Sequence, residues 1–384
     1  MAYPDDCPTL TDGVVTLRPY SLDDLEPCVE HCSDPESLAW TTIPSPYGVD
    51  EGIEWITRQV PRFWAEGSGL EFAIEAEHAD GVRRFAGGVT LRPRPDGIAE
   101  IGFAVHPGAR RRGVVTRAIT LLVDWGFAER GVEVVIWFAY VGNWGSRRAV
   151  WRCGFSFDGR VEKLLPQHGI RRDTWVASLR ATDTREPKGT WLVAPVLETD
   201  RLRLRPLADT DADRLFETNH DTRTVHFGGR VPGVRQRDGA ASIARAREQM
   251  AAGQMINWCI ADRTTDRLVG HIQLFDLGGL DPTEAKPGYS IHPDSRGRGY
   301  LTEALRALST WTFLPLNEGG LAKRRLTIST AASNAASRHA ATQAGYTHIG
   351  TNPNAFPITD THFDDEVFYQ LLNPTWQPPQ TPVP

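Results

Sequence analysis

The sequence lacks any apolar run of about 18 residues, the length that indicates a membrane-spanning helix. It also lacks an excess of positive charge, because 42 basic residues stand against 48 acidic ones and give a net charge of −6. A general nucleic-acid binder needs a basic face, so we expect neither a membrane nor a nucleic-acid partner. The first residues, MAYPDDCPTLTDG, are acidic and contain no apolar segment. We therefore expect no signal peptide and a cytoplasmic protein.

Cysteine is scarce, and no two cysteines form a CxxC pair among the five present. The odd number argues against a disulfide framework, and the missing pairs argue against a structural zinc site. We therefore expect no metal. Cys28 and Cys32 have the i,i+4 spacing of a helix, in phase with Leu25 and Val29, which predicts small core residues rather than a redox pair.

Two nucleotide-binding signatures are also missing. The sequence contains no GK[ST], so the lysine of a P-loop that would reach the phosphates is absent. The GxGxxG fingerprint with its downstream acidic residue is absent as well, which argues against a dinucleotide-binding domain.

The most informative feature that is present is a duplication. Four blocks occur twice in the same order: VVTLRPYSLDDLE with RLRLRPLADTDADRL, FAGGVTLR with LVGHIQLF, IGFAVHPGARRRGVVTRAI with PGYSIHPDSRGRGYLTEAL, and NWGSRRAVWRCGF with NAASRHAATQAGY. A repeat of this length is a domain rather than a solenoid unit. We expect domains at 1–180 and 196–373, a linker at 181–195 and a Pro-rich tail at 374–384.

Each copy alternates strand and helix patterns, which predicts an α/β domain. The first copy begins with a strand, and a helix follows at Ser21, where Asp24 completes a capping-box pattern. Three strands come next, joined by turns rich in Gly, Pro and Asp. After a basic loop we expect a helix from about Thr116 to Arg130, a buried strand, a helix from about Gly145 and a closing strand.

The unit of strand, loop and helix in the middle of each copy is the candidate for chemistry. Its loop is HPGARRRG in the first copy and HPDSRGRG in the second. A loop that leads into a helix presents free backbone N–H groups, which favour a bound phosphate together with the helix dipole. Glycine lets the backbone approach the anion, and arginine adds charge-assisted hydrogen bonds. His106 and His292 precede the prolines at the strand ends, and we interpret them as structural.

The pattern RxxGxG/A after a strand ending in V-x-P, followed by NxxS and GF, resembles the GNAT acyl-CoA N-acyltransferases. It is most similar to the branch that includes the ribosomal-protein N-terminal acetyltransferases, of which the opening LETDRLRLRPL of the second copy is also typical. The resemblance covers nearly the whole chain and implies an α/β fold of two tandem GNAT domains. Each would have a mixed, splayed central sheet flanked by helices.

The resemblance also implies how such a site works. The pantetheine arm of acetyl-CoA enters between two splayed strands, its pyrophosphate lies on the loop, and an amine attacks the thioester directly without a metal. The cofactor-binding residues implied in the first copy are Val105, Arg110, Arg111, Arg112, Gly113, Val114, Val115, Thr116 and Asn143. Those implied in the second copy are Ile291, Arg296, Gly297, Arg298, Gly299, Tyr300, Leu301, Thr302 and Asn334.

Catalytic candidates follow from the same resemblance. Glu100 lies on the splayed strand where related enzymes often carry a catalytic glutamate, although it is equally consistent with an exposed strand carboxylate. The second copy has Lys286 there, so Glu284, two residues earlier, is the candidate replacement. Ser146 and Ser337 occupy the serine position near the CoA sulfur, or they serve only as helix N-caps beside the Asn of the motif.

The copies depart from the family pattern in complementary ways. The last small residue of the loop motif is Val115 in one copy and Leu301 in the other, both larger than the usual Gly or Ala. Arg111 stands where the second copy has Gly297, which makes the second loop the better expected phosphate cradle. The tyrosine that often protonates the leaving thiolate is replaced by Val150 and Ala341. The residues do not say which half is active.

The resemblance implies acetyl-CoA-dependent N-acetylation of a primary amine, either a peptide or protein N-terminus or a small amine such as an antibiotic. The alternative is a non-catalytic acyl-CoA-binding protein in which neither half turns over. Trp40 either lines the acceptor pocket or packs under its loop. The two halves are expected to pack as a pseudo-dimer within a monomer, and a homodimer remains open.

Overall fold

The computed structural model describes residues 7–228 and 238–378. The chain divides into two compact units, Met1–Lys188 and Gly189–Pro384, here called unit 1 and unit 2. The first six residues and the end of the Pro-rich tail, 379–384, lie outside the described residues. Within the described part, no helix is long and apolar enough to cross a membrane.

The segment predicted as a linker, 181–195, is divided between the two units, and each part packs on its own unit. In unit 1, Arg185 Nε donates to Asp124 Oδ1 at 2.8 Å, and a Cβ on Gly154 would meet the carbonyl oxygen of Thr184 at 2.3 Å. In unit 2, Trp258 Nε1 donates to the carbonyl oxygen of Pro195 at 2.8 Å. The residues on either side of position 188 therefore belong to the unit that they contact.

The elements of unit 1 follow in chain order: β1 Leu10–Thr11, β2 Thr16–Arg18, α1 Leu25–Ser33, α2 Pro35–Trp40, α3 Val49–Glu54, α4 Val60–Glu66, β3 Leu70–Glu77, β4 Arg83–Pro93, β5 Ile98–Val105, α5 Val114–Glu129, β6 Val134–Tyr140, α6 Trp144–Arg152, β7 Ser156–Gln167 and β8 Ile170–Arg180. A π-helical stretch, Trp55–Gln59, joins α3 to α4.

The elements of unit 2 follow the same plan: β9 Leu197–Glu198, β10 Leu202–Arg205, α7 Ala212–His220, α8 Thr222–Phe227, α9 Gly239–Ala251, β11 Ile256–Asp262, β12 Leu268–Phe275, β13 Glu284–Ile291, α10 Tyr300–Phe313, β14 Arg325–Ala331, α11 Ala335–Gln343, β15 Thr347–Pro357 and β16 Phe363–Leu372.

Each unit is built on one eight-stranded sheet in its described residues, in the order β1-β2-β3-β4-β5-β6-β8-β7 and β9-β10-β11-β12-β13-β14-β16-β15. Neighbouring strands are antiparallel except β5 with β6 and β13 with β14, which are parallel. The predicted α/β fold with mixed sheets is therefore confirmed. The helices between 35 and 66 and the long strand β7 were not predicted.

The helix α5 lies on this sheet through the apolar positions that its 3.6-residue period predicts. Ala118, Ile119 and Leu122 are fully buried against the strands. The helix begins at Val114, two residues before the predicted start, because Gly113 is its N-cap in the left-handed conformation. The capping box predicted at Ser21 and Asp24 is present and opens the 3-10 turn before α1.

The two parallel strands of each unit separate, as a splayed sheet requires. In unit 1, β5 and β6 pair only between Ile98–Ile101 and Val134–Trp137. In unit 2, β13 and β14 pair only between Glu284–Ala285 and Arg325–Leu326. Beyond these residues, the described parts of the two strands are not paired with each other. Backbone groups of β5 and β13 on that side are left open for another extended chain.

Candidate functional site

The loops before α5 and α10 have the same backbone geometry. Gly113 and Gly299 are the N-caps, with φ of 77° and 75°. Two residues earlier, Arg111 and Gly297 are also left-handed, with φ of 60° and 73°. Arg111 therefore adopts a conformation that usually favours glycine. The expectation that the second loop is the better cradle finds no support in the backbone, which is alike in both copies.

The N-termini of α5 and α10 present unused N–H donors. Neither helix has a side-chain cap, and the first intrahelical bonds are Arg117 N–H to Gly113 O at 3.3 Å and Glu303 N–H to Gly299 O at 3.2 Å. Within the described residues, the backbone N–H groups of 114–116 and 300–302 donate no hydrogen bond to the protein. Such donors at the positive end of a helix suit an anion.

The bulky residues of the loop motif do not obstruct these donors. Val115 and Leu301 are half-buried, and their side chains pack against the apolar cores of unit 1 and unit 2. In unit 1, Val114 is buried next to Val115 in the chain. Their larger size therefore fills core space, and the departure from Gly or Ala carries no penalty for an anion at the helix end.

The first arginine of each loop is held by protein partners, which argues against the expected phosphate contact of Arg110 and Arg296. Arg110 donates through Nη2 to Asp34 Oδ2 at 2.5 Å, through Nη1 to Glu36 at 2.7 Å, and through Nε to the carbonyl of Val105 at 3.1 Å. Asp34 is also the N-cap of α2. The guanidinium therefore joins the loop to α2.

Unit 2 repeats this contact with other residues. Arg296 donates to Asp221, the N-cap of α8, to Thr224 Oγ1 at 3.2 Å and to the carbonyl of Ile291 at 3.3 Å. Its hydrogen bond lowers the pKa of Asp221, although burial opposes that shift. Both copies thus use the first arginine as a brace between the loop and a helix.

The remaining loop side chains have mixed surroundings. Arg112 pairs with Glu77 at 3.0 Å, whereas the side chains of Arg111 and Arg298 are exposed. Tyr300 lies under the guanidinium of Arg201, 5.1 Å from ring to Cζ.

Thr116 and Thr302, which were also expected to bind the cofactor, are half-buried in the first turns of α5 and α10. His106 accepts a hydrogen bond from Gly108 N–H at 3.1 Å, and His292 likewise accepts one from Asp294 N–H at 3.3 Å. This agrees with a structural role for both histidines.

A cavity of about 840 Å³ opens beside the splayed strands of unit 1. Its lining includes the separated part of β5, Gly102–Ala104, and three of the predicted residues, Glu100, Asn143 and Ser146. Trp40 also lines it and packs over Gly142, where an added Cβ would meet the ring at 3.1 Å. The structure thus brings together the candidate base, the NxxS motif and the open strand.

The asparagine of the NxxS motif, not the serine, is the helix cap. Asn143 Oδ1 accepts from Ser146 N–H at 3.1 Å, and Asn334 accepts from Ser337 N–H at 3.3 Å. Ser146 Oγ accepts from Trp137 Nε1 at 3.1 Å, so its own proton remains available to donate into the cavity.

The serine of unit 2 has a different neighbour. Ser337 Oγ lies 2.9 Å from the hydroxyl of Tyr289, whose pKa burial raises to about 12. Tyr289 therefore stays protonated at neutral pH. It stands on β13 where unit 1 has Phe103, and its hydroxyl is a hydrogen-bond donor that the sequence did not predict.

The predicted carboxylates have strong cationic partners. Glu100 accepts from Arg92 at 3.2 Å and from Arg94 at 2.5 Å. Glu284 lies in the paired, closed part of β13, where it pairs with Arg325 and accepts from Thr327 Oγ1 at 2.6 Å. This position argues against Glu284 as a replacement base, because it is away from the separated ends of the strands.

Sequence comparison agrees with this geometry. Residues 15–156 and 201–347 each match the acetyltransferase (GNAT) domain, and together the matches span more than half of the chain.

The chain belongs to the GNAT acetyltransferase family.

Relatives of the two GNAT domains are about half as long as this chain. The protein named uncharacterized N-acetyltransferase YoaA of Bacillus subtilis (strain 168) is 28% identical over 182 residues, 47% of this chain and 98% of that protein. RimJ of Mycobacterium smegmatis, solved with CoA-disulfide, is 21% identical with a TM-score of 0.41, over 47% and 90% of the two chains. Ribosomal-protein-S5-alanine acetyltransferase of Vibrio fischeri is 13% identical with a TM-score of 0.41, over 48% and 100%. Because both TM-scores are below 0.5, the family assignment depends on the matched domains.

The first GNAT domain holds a carboxylate that the sequence interpretation missed. Glu71, on β3, lines the cavity with a side chain only 7% exposed. Burial raises its pKa, and Arg92, whose Nη2 lies 3.8 Å from Glu71 Oε1, opposes the rise only in part. The available signal was a glutamate within the otherwise apolar run LEFAI, where a carboxylate without a purpose is costly.

The second GNAT domain has no carboxylate at the matching positions. Strand register aligns Asn257 with Glu71, because Asn257 pairs with Gln273 as Glu71 pairs with Thr90. Lys286 replaces Glu100 and pairs with Asp276 at 2.7 Å. Nearby His271 donates through Nε2 to Asn257 Oδ1 at 3.3 Å, and burial lowers the pKa of His271 to about 4.

Proposed function

We propose that this protein is an acetyl-CoA-dependent N-acetyltransferase that acylates a primary amine, and that unit 1 is its catalytic half. The observation that supports this proposal is the cavity of unit 1, which places the separated strand β5, the NxxS motif and two carboxylates around one space. The matching region of unit 2 lacks both carboxylates.

The loop residues fit the phosphates of acetyl-CoA in both units. The uncapped N–H groups of 114–116 and 300–302 would hold the pyrophosphate, and Arg111, Arg112 and Arg298 are placed to add charge around it. The left-handed glycines Gly113 and Gly299 leave no side chain between the backbone and the anion. When bound, acetyl-CoA supplies an activated acetyl thioester.

The residues of unit 1 have distinct tasks in this proposal. Open backbone groups of Gly102–Val105 bind an extended arm as an added strand would be bound. Ser146, fixed by Trp137 Nε1, holds a proton ready for a group in the cavity. This hydroxyl takes the place of the tyrosine that the sequence lacks at Val150, a position that is buried in the core. A carboxylate of the cavity takes the proton of the amine.

Unit 2 is better suited to binding than to turnover. It keeps the loop geometry, the uncapped helix and the NxxS motif, but it has Asn257 and Lys286 where unit 1 has carboxylates. His271, whose pKa burial lowers to about 4, is a weak base for that task. We infer that unit 2 binds acetyl-CoA without transferring its acetyl group.

The acceptor is either a peptide or protein N-terminus or a small amine. The test is thiol release from acetyl-CoA by the full chain, with an N-terminal alanine peptide and a panel of small primary amines. Acetyl-CoA binding without transfer to any amine would instead support the non-catalytic alternative.

A further inference from the structure

The lining of the unit 1 cavity is acidic and aromatic. Within this lining, all of it in described residues, Arg92 is the single arginine or lysine. Five carboxylates face it: Asp50, Glu51, Glu54, Glu71 and Glu100. Aromatic rings form much of the remaining wall: Trp40, Tyr47, Trp55, Phe63, Phe85 and Phe103. This combination suits a cation that carries an apolar body.

The carboxylates differ in how far their charge is already used. Glu100 has two arginine partners, and Glu54 pairs with Arg58 at 3.1 Å. Glu51 accepts from Gly48 N–H at 2.8 Å and caps its helix. The only cation near Glu71 in these contacts is Arg92 at 3.8 Å, which Glu100 shares. Glu71 is therefore the most buried of these carboxylates and has one shared cationic partner, and its side-chain contact with Thr90 also lowers its pKa in part.

Glu71 is the more buried of the two deep carboxylates, with a side chain 7% exposed. A desolvated carboxylate has a raised pKa, and a general base works best when its pKa approaches the working pH. The pKa of Glu71 is raised mainly by burial. Glu100 is more exposed, at 19%, and both of its carboxylate oxygens already accept from guanidinium groups.

Glu71 faces the place where the strands separate. It pairs with Thr90 on β4, and Thr90 pairs with Gly102 on β5. The three residues form one row, so their side-chain directions lie on one face of the sheet. Gly102 is the first residue of β5 beyond its pairing with β6. Two strand spacings, roughly 10 Å, separate the Glu71 and Gly102 backbones. The Arg92 guanidinium occupies part of this space, because a Cβ on Gly102 would lie 3.1 Å from Nη1, and Nη2 lies 3.8 Å from Glu71 Oε1. A proton therefore reaches Glu71 beside Arg92, through one water.

We propose that the unit 1 cavity binds a primary ammonium with an aromatic or aliphatic body, and that Glu71 accepts its proton. The ammonium gives one proton to a Glu71 carboxylate oxygen. The neutral amine then forms the N–C bond as the C–S bond of the thioester breaks, and the second proton that the nitrogen loses passes to the leaving thiolate. This proposal rests on the proposed function and specifies its acceptor class and base.

The first test is binding, which does not require turnover. The full chain with CoA is titrated with 2-phenylethylammonium at pH 7.5 and followed by calorimetry, with 2-phenylethanol as the uncharged probe of the same shape. We expect Glu71→Gln to weaken the ammonium at least tenfold and to leave the alcohol unchanged. Glu162→Gln, an exposed charge change on β7, is the matched control and leaves both affinities unchanged. The CoA count by native mass spectrometry verifies that the variant is folded.

The second test is the pH dependence of acetyl transfer to 2-phenylethylamine. We expect Glu71→Gln to lower kcat at least 100-fold and to abolish the basic-group limb of the kcat/KM profile, with partial rescue in Glu71→Asp. Glu100→Gln tests the rival assignment and is expected to retain that limb.

The outcomes separate the two claims. Equal binding and turnover in Glu71→Gln and wild type overturn the assignment of Glu71, and loss of the limb in Glu100→Gln alone assigns the base to Glu100 instead. Failure of 2-phenylethylammonium to bind wild type overturns the acceptor class. Wild type that binds the ammonium and acetyl-CoA but transfers nothing refutes the proposed function, while the binding difference still tests the role of Glu71 at the amine.

Discussion

Replacing Arg110 by alanine should destabilise unit 1 more than it weakens acetyl-CoA binding. The sequence predicts Arg110 as a phosphate ligand, whereas the structure uses it to brace the cofactor loop against α2. The side chain is 25% exposed, and its partner Asp34 is 18% exposed. The contact is therefore partly desolvated and is worth more than a surface ion pair.

The magnitude follows from the separate contacts. The bond to Asp34 joins two charged, partly buried groups and is worth about 1.5–3 kcal/mol. The pair with Glu36, which is 65% exposed, adds about 0.2–1 kcal/mol. Asp34 keeps its bond from Ser37 N–H at 2.9 Å and still caps α2. We expect a loss of about 2–4 kcal/mol in the free energy of unfolding of unit 1.

Urea unfolding followed by tryptophan fluorescence measures this loss, because eight of the twelve tryptophans lie in the first 188 residues. Arg110→Lys retains the charge without the planar fork and should recover less than half of the stability. Arg296→Ala is the matched variant of unit 2 and should destabilise that unit, because the hydrogen bond between Arg296 and Asp221 is lost. An unchanged unfolding midpoint for Arg110→Ala, together with a more than tenfold rise in the acetyl-CoA Kd, would refute the reasoning.

Three further predictions concern single positions. Arg111→Gly should stabilise unit 1 by up to about 1.5 kcal/mol, because it removes left-handed strain of about 1–2 kcal/mol and raises the backbone entropy lost on folding by about 0.5–1 kcal/mol. Gly297→Ala should destabilise unit 2 by about 1 kcal/mol. Urea unfolding measures both changes. The pKa of His31 is lowered to about 4, mainly by burial, so the folded state binds a proton at His31 less readily than the unfolded state does. The free energy of unfolding should therefore fall by up to about 3 kcal/mol as the pH drops from 6.5 to 4. The same pH dependence in His31→Gln would contradict this prediction. Ser146→Ala should lower kcat for acetyl transfer about tenfold or more, while the acetyl-CoA Kd changes little. An unchanged kcat would show that Ser146 is not the proton donor.

The sequence predicted those features that depend on local pattern or on the repeat. The duplication, the strand run LEFAIEAE and the loop before α5 are all encoded in neighbouring residues. The helix after this loop was predicted as well, although it begins at Val114, after its N-cap Gly113, and not at Thr116. These features agree with the structure because backbone conformation at such points depends on a few adjacent residues.

The missed features depend on residues far apart in the chain. Arg110 meets Asp34, 76 residues away, and no local pattern predicts which carboxylate a loop arginine contacts. Glu71 resembles any alternate strand residue until packing shows that both faces of β3 are covered. The helices between 35 and 66 carry Pro, Gly and aromatic residues in a weak helical period. Such short helices depend on tertiary packing more than on local propensity.

The central claim is that unit 1 performs the transfer. The most direct test is a single-turnover acetyl-transfer assay on Gly113→Glu, which places a negative charge among the N–H groups of α5 where the pyrophosphate would lie. Native mass spectrometry of the same sample counts the bound acetyl-CoA. The account predicts one bound acetyl-CoA, held by unit 2, and no transfer. Transfer at the wild-type rate would contradict it and would assign catalysis to unit 2.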